Sequence, residues 1–299
     1  MTISGTWYIM PTAFGPDGSL DLASQRELAE TVVAWGADGI TVLGVMGEAS
    51  TLTFTERADV IDAVVAGAPG VPLAVGCSGP AVHAVTANAR QAAERGASLA
   101  MVSAPQLLRD VDVLPGFMGS VAAQTDLQLI IQDEPAATGV GMPVSILTQC
   151  LVASGASVVK LEDPPTPNKI TKLLAAAPGT AIFGGLGGAA AYFELRRGAV
   201  GTMTGFSYPE ILKELRQLHE AGDSAAAFAL YVRYLPLIAF EATPIVGLGI
   251  RKELLHRRGA LRSPTMRVAG PPTPELLEEL DQVLAAADLR PARRALAIA

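Results

Sequence analysis

The chain is poor in cysteine, in aromatic residues and in charge, and these shortages exclude several classes of protein. Only two cysteines, Cys77 and Cys150, occur in 299 residues, and their separation fits no metal spacing. Both lie in apolar settings, which predicts buried free thiols rather than a disulfide. Charged residues make up 17% of the chain and the net charge is −7, which argues against a nucleic-acid surface, since phosphate binding needs a basic patch. The short clusters Arg196-Arg197 and His256-Arg257-Arg258 read as helix C-terminal charges favoured by the macrodipole. No basic stretch followed by an apolar one marks a signal peptide, and no uninterrupted apolar run reaches membrane-spanning length. The expected setting is cytoplasmic, with neither membrane nor nucleic acid as partner.

What the chain does have is hydrophobic residues, at 50%, and 30 glycines, the composition of an α/β protein whose sheet is covered on both faces. A repeat sets the architecture. Trp35-Gly36-Ala37, Arg95-Gly96-Ala97, Ser154-Gly155-Ala156 and Arg197-Gly198-Ala199 each precede an apolar strand. Glycine just past a helix adopts the left-handed conformation without steric cost, so each site predicts a helix that turns directly into a strand. Further strands are predicted near Trp7–Met10, Pro72–Gly76, Leu127–Gln132 and Ala181–Gly184, with helices between them. Alternating βα units imply a parallel sheet, and eight of them within residues 1–222 predict a closed (β/α)₈ barrel. Residues 223–299 switch to helix alone, predicted as Ser224–Phe240, Pro244–Arg258 and Pro274–Ala286, and read as a helical extension. Gly184-Gly185-Leu186-Gly187-Gly188 is not a dinucleotide fingerprint.

Within this frame Lys160 stands out. It occupies the apolar run Val158-Val159-Lys160-Leu161-Glu162, which ends at Pro164-Pro165. A buried lysine is costly unless paired or neutral, and a neutral one is an amine nucleophile able to form a Schiff base. The bland alternative is an ion pair with Glu162 or Glu48. The sixth strand of a barrel would bring Lys160 to the C-terminal face where active sites form, and this favours the nucleophile. Two other loops open on the same face. Gly44-Val45-Met46-Gly47-Glu48 can expose successive amides to a carboxylate, with Thr53 or Thr55 as the cap of the next helix. Gln132-Asp133-Glu134-Pro135 brings polar residues abruptly after an apolar strand; a surface loop explains Asp133 and Glu134, but Gln132 still belongs to the strand.

The order and spacing of these three motifs resemble the dihydrodipicolinate synthase / N-acetylneuraminate lyase superfamily along nearly the whole chain. The resemblance implies a class I aldolase-type barrel, a homo-oligomer (dimer or tetramer) and no metal or other cofactor. Lys160 matches the lysine that forms an imine with pyruvate or another 2-keto acid. Val45 and Met46 match the loop that holds the keto-acid carboxylate. Gly185 and, through its main-chain carbonyl, Met203 match further residues lining the pocket. Val45 and Met46 replace two threonines, Gln132 stands where a proton-shuttling tyrosine is usual, Ala104-Pro105-Gln106-Leu107 lacks another tyrosine, and Ala137 replaces an arginine. An amide is neither acid nor base near neutral pH, so Gln132 can only orient its neighbours.

These departures disfavour 4-hydroxy-tetrahydrodipicolinate synthesis and point to a lyase for 2-keto-3-deoxy sugar acids, acting by dehydration or by aldol cleavage or condensation. The alternatives are a pyruvate-dependent aldolase of secondary metabolism and an inactive barrel that binds a keto acid. Glu162, two residues from Lys160, shares its strand face and is the candidate acid/base. A carboxylate so close also favours the ammonium and opposes activation, while the proline stop leaves the strand free to twist Glu162 away.

Overall fold

The computed structural model describes residues 3–289 except Leu107 and Val268. Eight parallel strands close into a barrel in sequence order: β1 (Gly5–Ile9), β2 (Gly39–Val42), β3 (Leu73–Gly76), β4 (Leu99–Ser103), β5 (Gln128–Asp133), β6 (Val158–Leu161), β7 (Ala181–Gly184) and β8 (Gly201–Thr204). The crossover helices are α1 (Leu22–Ala34), α2 (Phe54–Gly67), α3 (Val82–Glu94), α4 (Leu114–Ala122), the short α5 (Pro135–Thr138), α6 (Val144–Ser154), α7 (Thr166–Ala176) and α8 (Ala191–Arg196). Then come α9 (Pro209–Glu220), α10 (Ser224–Glu241), α11 (Gly247–Arg257) and α12 (Pro274–Ala286). The architecture is thus the expected (β/α)₈ barrel with C-terminal helices.

The glycine-alanine repeat works as a helix stop. Gly36, Gly96, Gly155 and Gly198 all have positive φ. After three of them the next amide reaches back five residues, as in Ala37 N–H to Val32 O at 3.0 Å and Ala97 N–H to Ala92 O at 3.0 Å. This bond satisfies a carbonyl that the helix end would otherwise orphan, and it fixes the angle at which the chain enters the strand.

Alternation along the strands separates two apolar sets. Trp7, Ile9, Ala74, Leu99, Met101, Ile130, Val158, Phe183 and Met203 fill the barrel interior. There Trp7 and Phe183 meet edge to face with centroids 5.9 Å apart. The opposite faces of the strands pack under the helices in a larger core that holds both cysteines as free thiols. The interior parity is what aims the site: Lys160 follows Val158 by two residues, and Gln132 follows Ile130 by two, so both point inward.

Several element ends differ from expectation for local reasons. The helix predicted from Pro244 begins only at Gly247, because Ile245 has φ of +73°, which no helix accommodates. α7, expected from Asn168, starts at Thr166 because Pro167 suits the first turn, where its missing N–H costs nothing. Arg196, His256 and Arg257 lie in last helical turns, as their charge suggested. α10 is long and apolar enough to cross a membrane by length and composition, with mean hydropathy of 1.2 over 18 residues. It lies against the barrel side, burying Ala227, Tyr231, Leu237, Ile238 and Glu241.

Candidate active site

The ends of β5 and β6 bring four polar side chains together. Lys160 and Gln132 are register partners on these strands, and Glu162 follows β6 directly. All three are nearly sealed, at 4%, 5% and 8% exposure respectively. Lys160 Nζ lies 2.6 Å from Glu162 Oε2. Gln132 Nε2 donates to the same oxygen at 2.9 Å and, with its second hydrogen, to Glu134 Oε2 at 2.6 Å. The strand does not twist Glu162 away before its proline stop. Its amide bonds to the Asp133 carbonyl at 2.9 Å, which extends the β5–β6 ladder by one rung and keeps the side chain on the Lys160 face.

Glu162 is also gripped from β7. Its Oε1 accepts from the Leu186 amide at 3.3 Å, and Leu186 itself has φ of +47°. A Cβ at Gly185 would overlap the Glu162 carboxylate, so glycine there makes room for the acid. Gly185 therefore joins the constellation by touching Glu162. Behind this sits Glu194 of α8, 1% exposed, whose carboxylate accepts from Thr166 Oγ1 at 2.5 Å. Burial, opposed by the Thr166 hydrogen bond and aided by the charge of Glu162, pushes the Glu194 carboxyl up to about 7.

Two residues assigned to the surface are not there. Asp133 is fully buried and binds Lys169 Nζ at 2.5 Å, while Lys169 also reaches Asp163 at 2.7 Å and donates to Met142 O at 2.6 Å. Glu134 is half-buried, and burial followed by the nearby charge of Glu162 pushes its carboxyl up to about 7, against the pull of Lys160. The inward parity of residues 130, 132 and 134 was the signal that could have placed Glu134 here.

The loop after β2 is a 3₁₀ turn, Val45–Gly47, rather than an open nest. The amides of Gly47 and Glu48 close it onto Gly44 O and Val45 O, at 3.0 and 3.1 Å. Val45 and Met46 supply its first two amides, which have no partner within such a turn. The Val45 side chain is 64% exposed on the rim. Met46 lies over Gly205, where any Cβ would overlap it, and Arg251 of α11 approaches its sulfur at 3.1 Å. Sequence reasoning missed Arg251, whose contact spans 205 positions. Met203 is fully buried among the interior residues and can offer a ligand only main chain. The hydrogen-bonded set thus joins Lys160, Glu162, Gln132 and Glu134, with Gly185 packed against Glu162, and does not include Val45, Met46 or Met203.

Glu48 and Lys252 form a second buried ion pair that clamps this loop to α11. Lys252 also donates to Thr265 O at 2.8 Å and lies 4.6 Å from the Phe14 ring centroid. The Arg267 amide donates to Glu48 Oε2 at 2.9 Å. Thr53 caps α2 in a reciprocal box with Glu56, and Arg267 holds Glu56 with its carboxyl down at about 2.

Residues 2–288 match the model of the dihydrodipicolinate synthetase family. The chain belongs to that family. Like its relatives, this dihydrodipicolinate synthetase family member is a lyase of the aldolase and dehydratase type, built on a Schiff-base chemistry. It is 27% identical over 282 residues to L-2-keto-3-deoxyarabonate dehydratase of Azospirillum brasilense, covering 91% of this chain and 89% of that protein. The crystal structure of dihydrodipicolinate synthase from Rhodopseudomonas palustris superposes with a TM-score of 0.91 at 32% identity, covering 95% of this chain and 97% of that one. A family fold with bound ligand is the chloride-inhibited synthase of Acinetobacter baumannii complexed with pyruvate, with a TM-score of 0.89 at 22% identity, covering 97% and 100% of the two chains. A homologue in the family therefore binds pyruvate, and the relatives of this chain include both a synthase and a dehydratase.

Proposed function

We propose that this chain forms an imine between Lys160 and the keto carbon of a 2-keto-3-deoxy sugar acid and removes water from it. The observation that carries the reading is the contact of Lys160 Nζ with Glu162 at 2.6 Å, with Gln132 holding the same carboxylate at 2.9 Å. This arrangement supplies a base beside the nucleophile where a phenol is missing.

The chemistry follows from that geometry. Glu162 takes a proton from Lys160, and the freed amine attacks the keto carbon. Glu162 returns the proton to the carbinolamine hydroxyl, which leaves as water and yields an iminium. The carboxylate then removes a C3 proton. The C3–H electron pair becomes the C2=C3 bond and neutralises the nitrogen. Collapse of this enamine re-forms the iminium and expels the C4 hydroxyl. The first amides of the Val45–Gly47 turn hold the substrate carboxylate, and Met203 offers its carbonyl. Gln132 orients carboxyls and moves no proton. With Ala137 in place of an arginine and no phenol at Gln132, 4-hydroxy-tetrahydrodipicolinate synthesis is disfavoured.

Borohydride reduction in the presence of pyruvate or a 2-keto-3-deoxy acid tests the imine by the mass added at Lys160. Product analysis tests the rest: water loss without chain cleavage supports dehydration, whereas release of pyruvate supports aldol cleavage. Absence of an adduct across a panel of keto acids sinks both, leaving a binding barrel. The exposed Phe193, Phe228 and Val232 on α8 and α10 support a homo-oligomer, which light scattering checks. The buried free thiols fit a reducing cytoplasm.

A further inference from the structure

We infer that Glu134 is the acid that protonates the departing hydroxyl, working as one of two carboxyls that the Gln132 amide holds at a fixed spacing. The inference rests on the imine reading above and assigns a step which that reading leaves without a proton donor.

A hydroxide ion is a poor leaving group, so expulsion from C4 needs an acid in reach of that oxygen. Glu162 is engaged at Nζ, at the oxygen on C2 and at C3, and a separate acid would serve the oxygen beyond them. The site holds a second carboxyl one hydrogen-bonded link further from Lys160. The chain runs from Lys160 Nζ to Glu162 Oε2 at 2.6 Å, on to Gln132 Nε2 at 2.9 Å, and ends at Glu134 Oε2 at 2.6 Å. On this inference the nearer acid serves the carbon bonded to the imine carbon, and the farther one the substituent beyond it.

The amide also divides the labour. One –NH₂ gives one hydrogen to each carboxyl, so two acid oxygens lie within bonding reach of a single nitrogen. Two carboxylates so close ionise together only at mutual cost. Glu162 is the one in contact with the lysine. Among the described residues Glu134 has no cation in contact, and it is placed to keep the proton. Its elevation to about 7 by burial and by Glu162 agrees with that division. In the step itself the C4–O bond breaks, its electron pair goes to oxygen, and the Glu134 proton joins that oxygen to give water. The nitrogen lone pair re-forms the iminium while the double bond moves to C3=C4. Glu162 ends protonated and Glu134 ionised, and exchange with solvent resets both.

Two probes that differ only in the leaving group test this: 4-hydroxy-2-oxobutanoate, which must lose water, and 4-chloro-2-oxobutanoate, which loses chloride without an acid. Glu134→Gln keeps an oxygen to accept from Gln132. The expected result is that this variant slows water loss at least 100-fold while initial chloride release stays within threefold of the parent protein. Glu162→Gln should slow both, since both need the C3 proton removed. Equal rates on the two probes, whether both unchanged or both reduced in Glu134→Gln, overturn the assignment. If the parent protein still traps pyruvate at Lys160 in that case, the imine reading stands without it. If the parent protein traps no keto acid, both fall together.

Discussion

Two lysines are buried against glutamates in this barrel, and only one of the pairs faces the mouth. Lys252 and Glu48 lie between the loop after β2 and α11, where every polar neighbour closes the circuit: Thr265 O and the Phe14 ring meet the lysine, and the Arg267 amide meets the carboxylate. Burial still pushes Lys252 down, against the pull of Glu48. Lys160 and Glu162 share the burial but sit beside a second acid that has no ion-pair partner among the described residues. The closed pair serves as a clasp, and the open one is the pair to which proton exchange is assigned in the proposed reaction. Burial of a lysine therefore says little by itself. What sets the Lys160 pair apart is an excess of carboxyl over ammonium at the end of a barrel strand.

The comparison breaks most sharply on the lysines. Lys160→Ala should abolish reductive trapping of pyruvate, and Lys252→Met should leave the trapping site in place. Intact-mass analysis after borohydride separates the two. Lys252→Met should instead cost about 3–5 kcal/mol of stability, the usual penalty for leaving one charge of a buried pair alone. Chemical denaturation measures that loss, and a second change, Glu48→Gln, should recover part of it.

The next effect falls on the carboxyl. Glu162→Gln should retain some trapping but slow exchange of C3 hydrogens of bound pyruvate with deuterated water by roughly 10²–10⁴-fold, the range for a lost general base. Nuclear magnetic resonance of the methyl signal follows it. Gly185→Ala should give a milder version of the same defect, because its methyl group displaces Glu162 without removing it.

The smallest effect concerns pH. Glu194 is raised to about 7 in the fold, above its ordinary value, so the folded state binds a proton that the unfolded chain releases at lower pH. Its contribution is fully present below the unfolded value near 4.5 and is lost as pH rises through about 7. Glu194→Gln should therefore flatten the fall in Tm across that window, as seen by calorimetry at a series of pH values. A variant that tracks the parent protein at every pH removes Glu194 from the account.

Much of the barrel was legible because its signals are local. The glycine-alanine stops lie within a few residues of the helices they end, and strand parity alone put Lys160 and Glu162 on one face. The helix cap was readable as Thr53 or Thr55, and the fold uses Thr53. Contacts that depend on closure were not. Glu48 and Lys252 are 204 positions apart, and nothing in either segment announces the other. Glu134 was misplaced for a different reason. A charged residue before a proline, just past an apolar strand, has the composition of a surface turn, and only continuing the inward alternation through residue 134 moves it into the mouth. Leu107 and residues 290–299, which belong to the loop after β4 and to the expected extension, lie outside the described residues.

The clasp between Glu48 and Lys252 also bears on how this chain can be dissected. Sequence pattern changes after Gly222, which makes that point tempting as a place to trim the chain to a minimal barrel. A chain cut there would keep the loop carrying Val45 and Met46 but lose the lysine, the Thr265–Arg267 strap and Arg251 that hold it. Glu48 would be a carboxylate built for an interior and left without its counterion. The helical tail is in that sense a wall of the reaction chamber, and shortening the protein from this end would unhook the very loop assigned to the substrate.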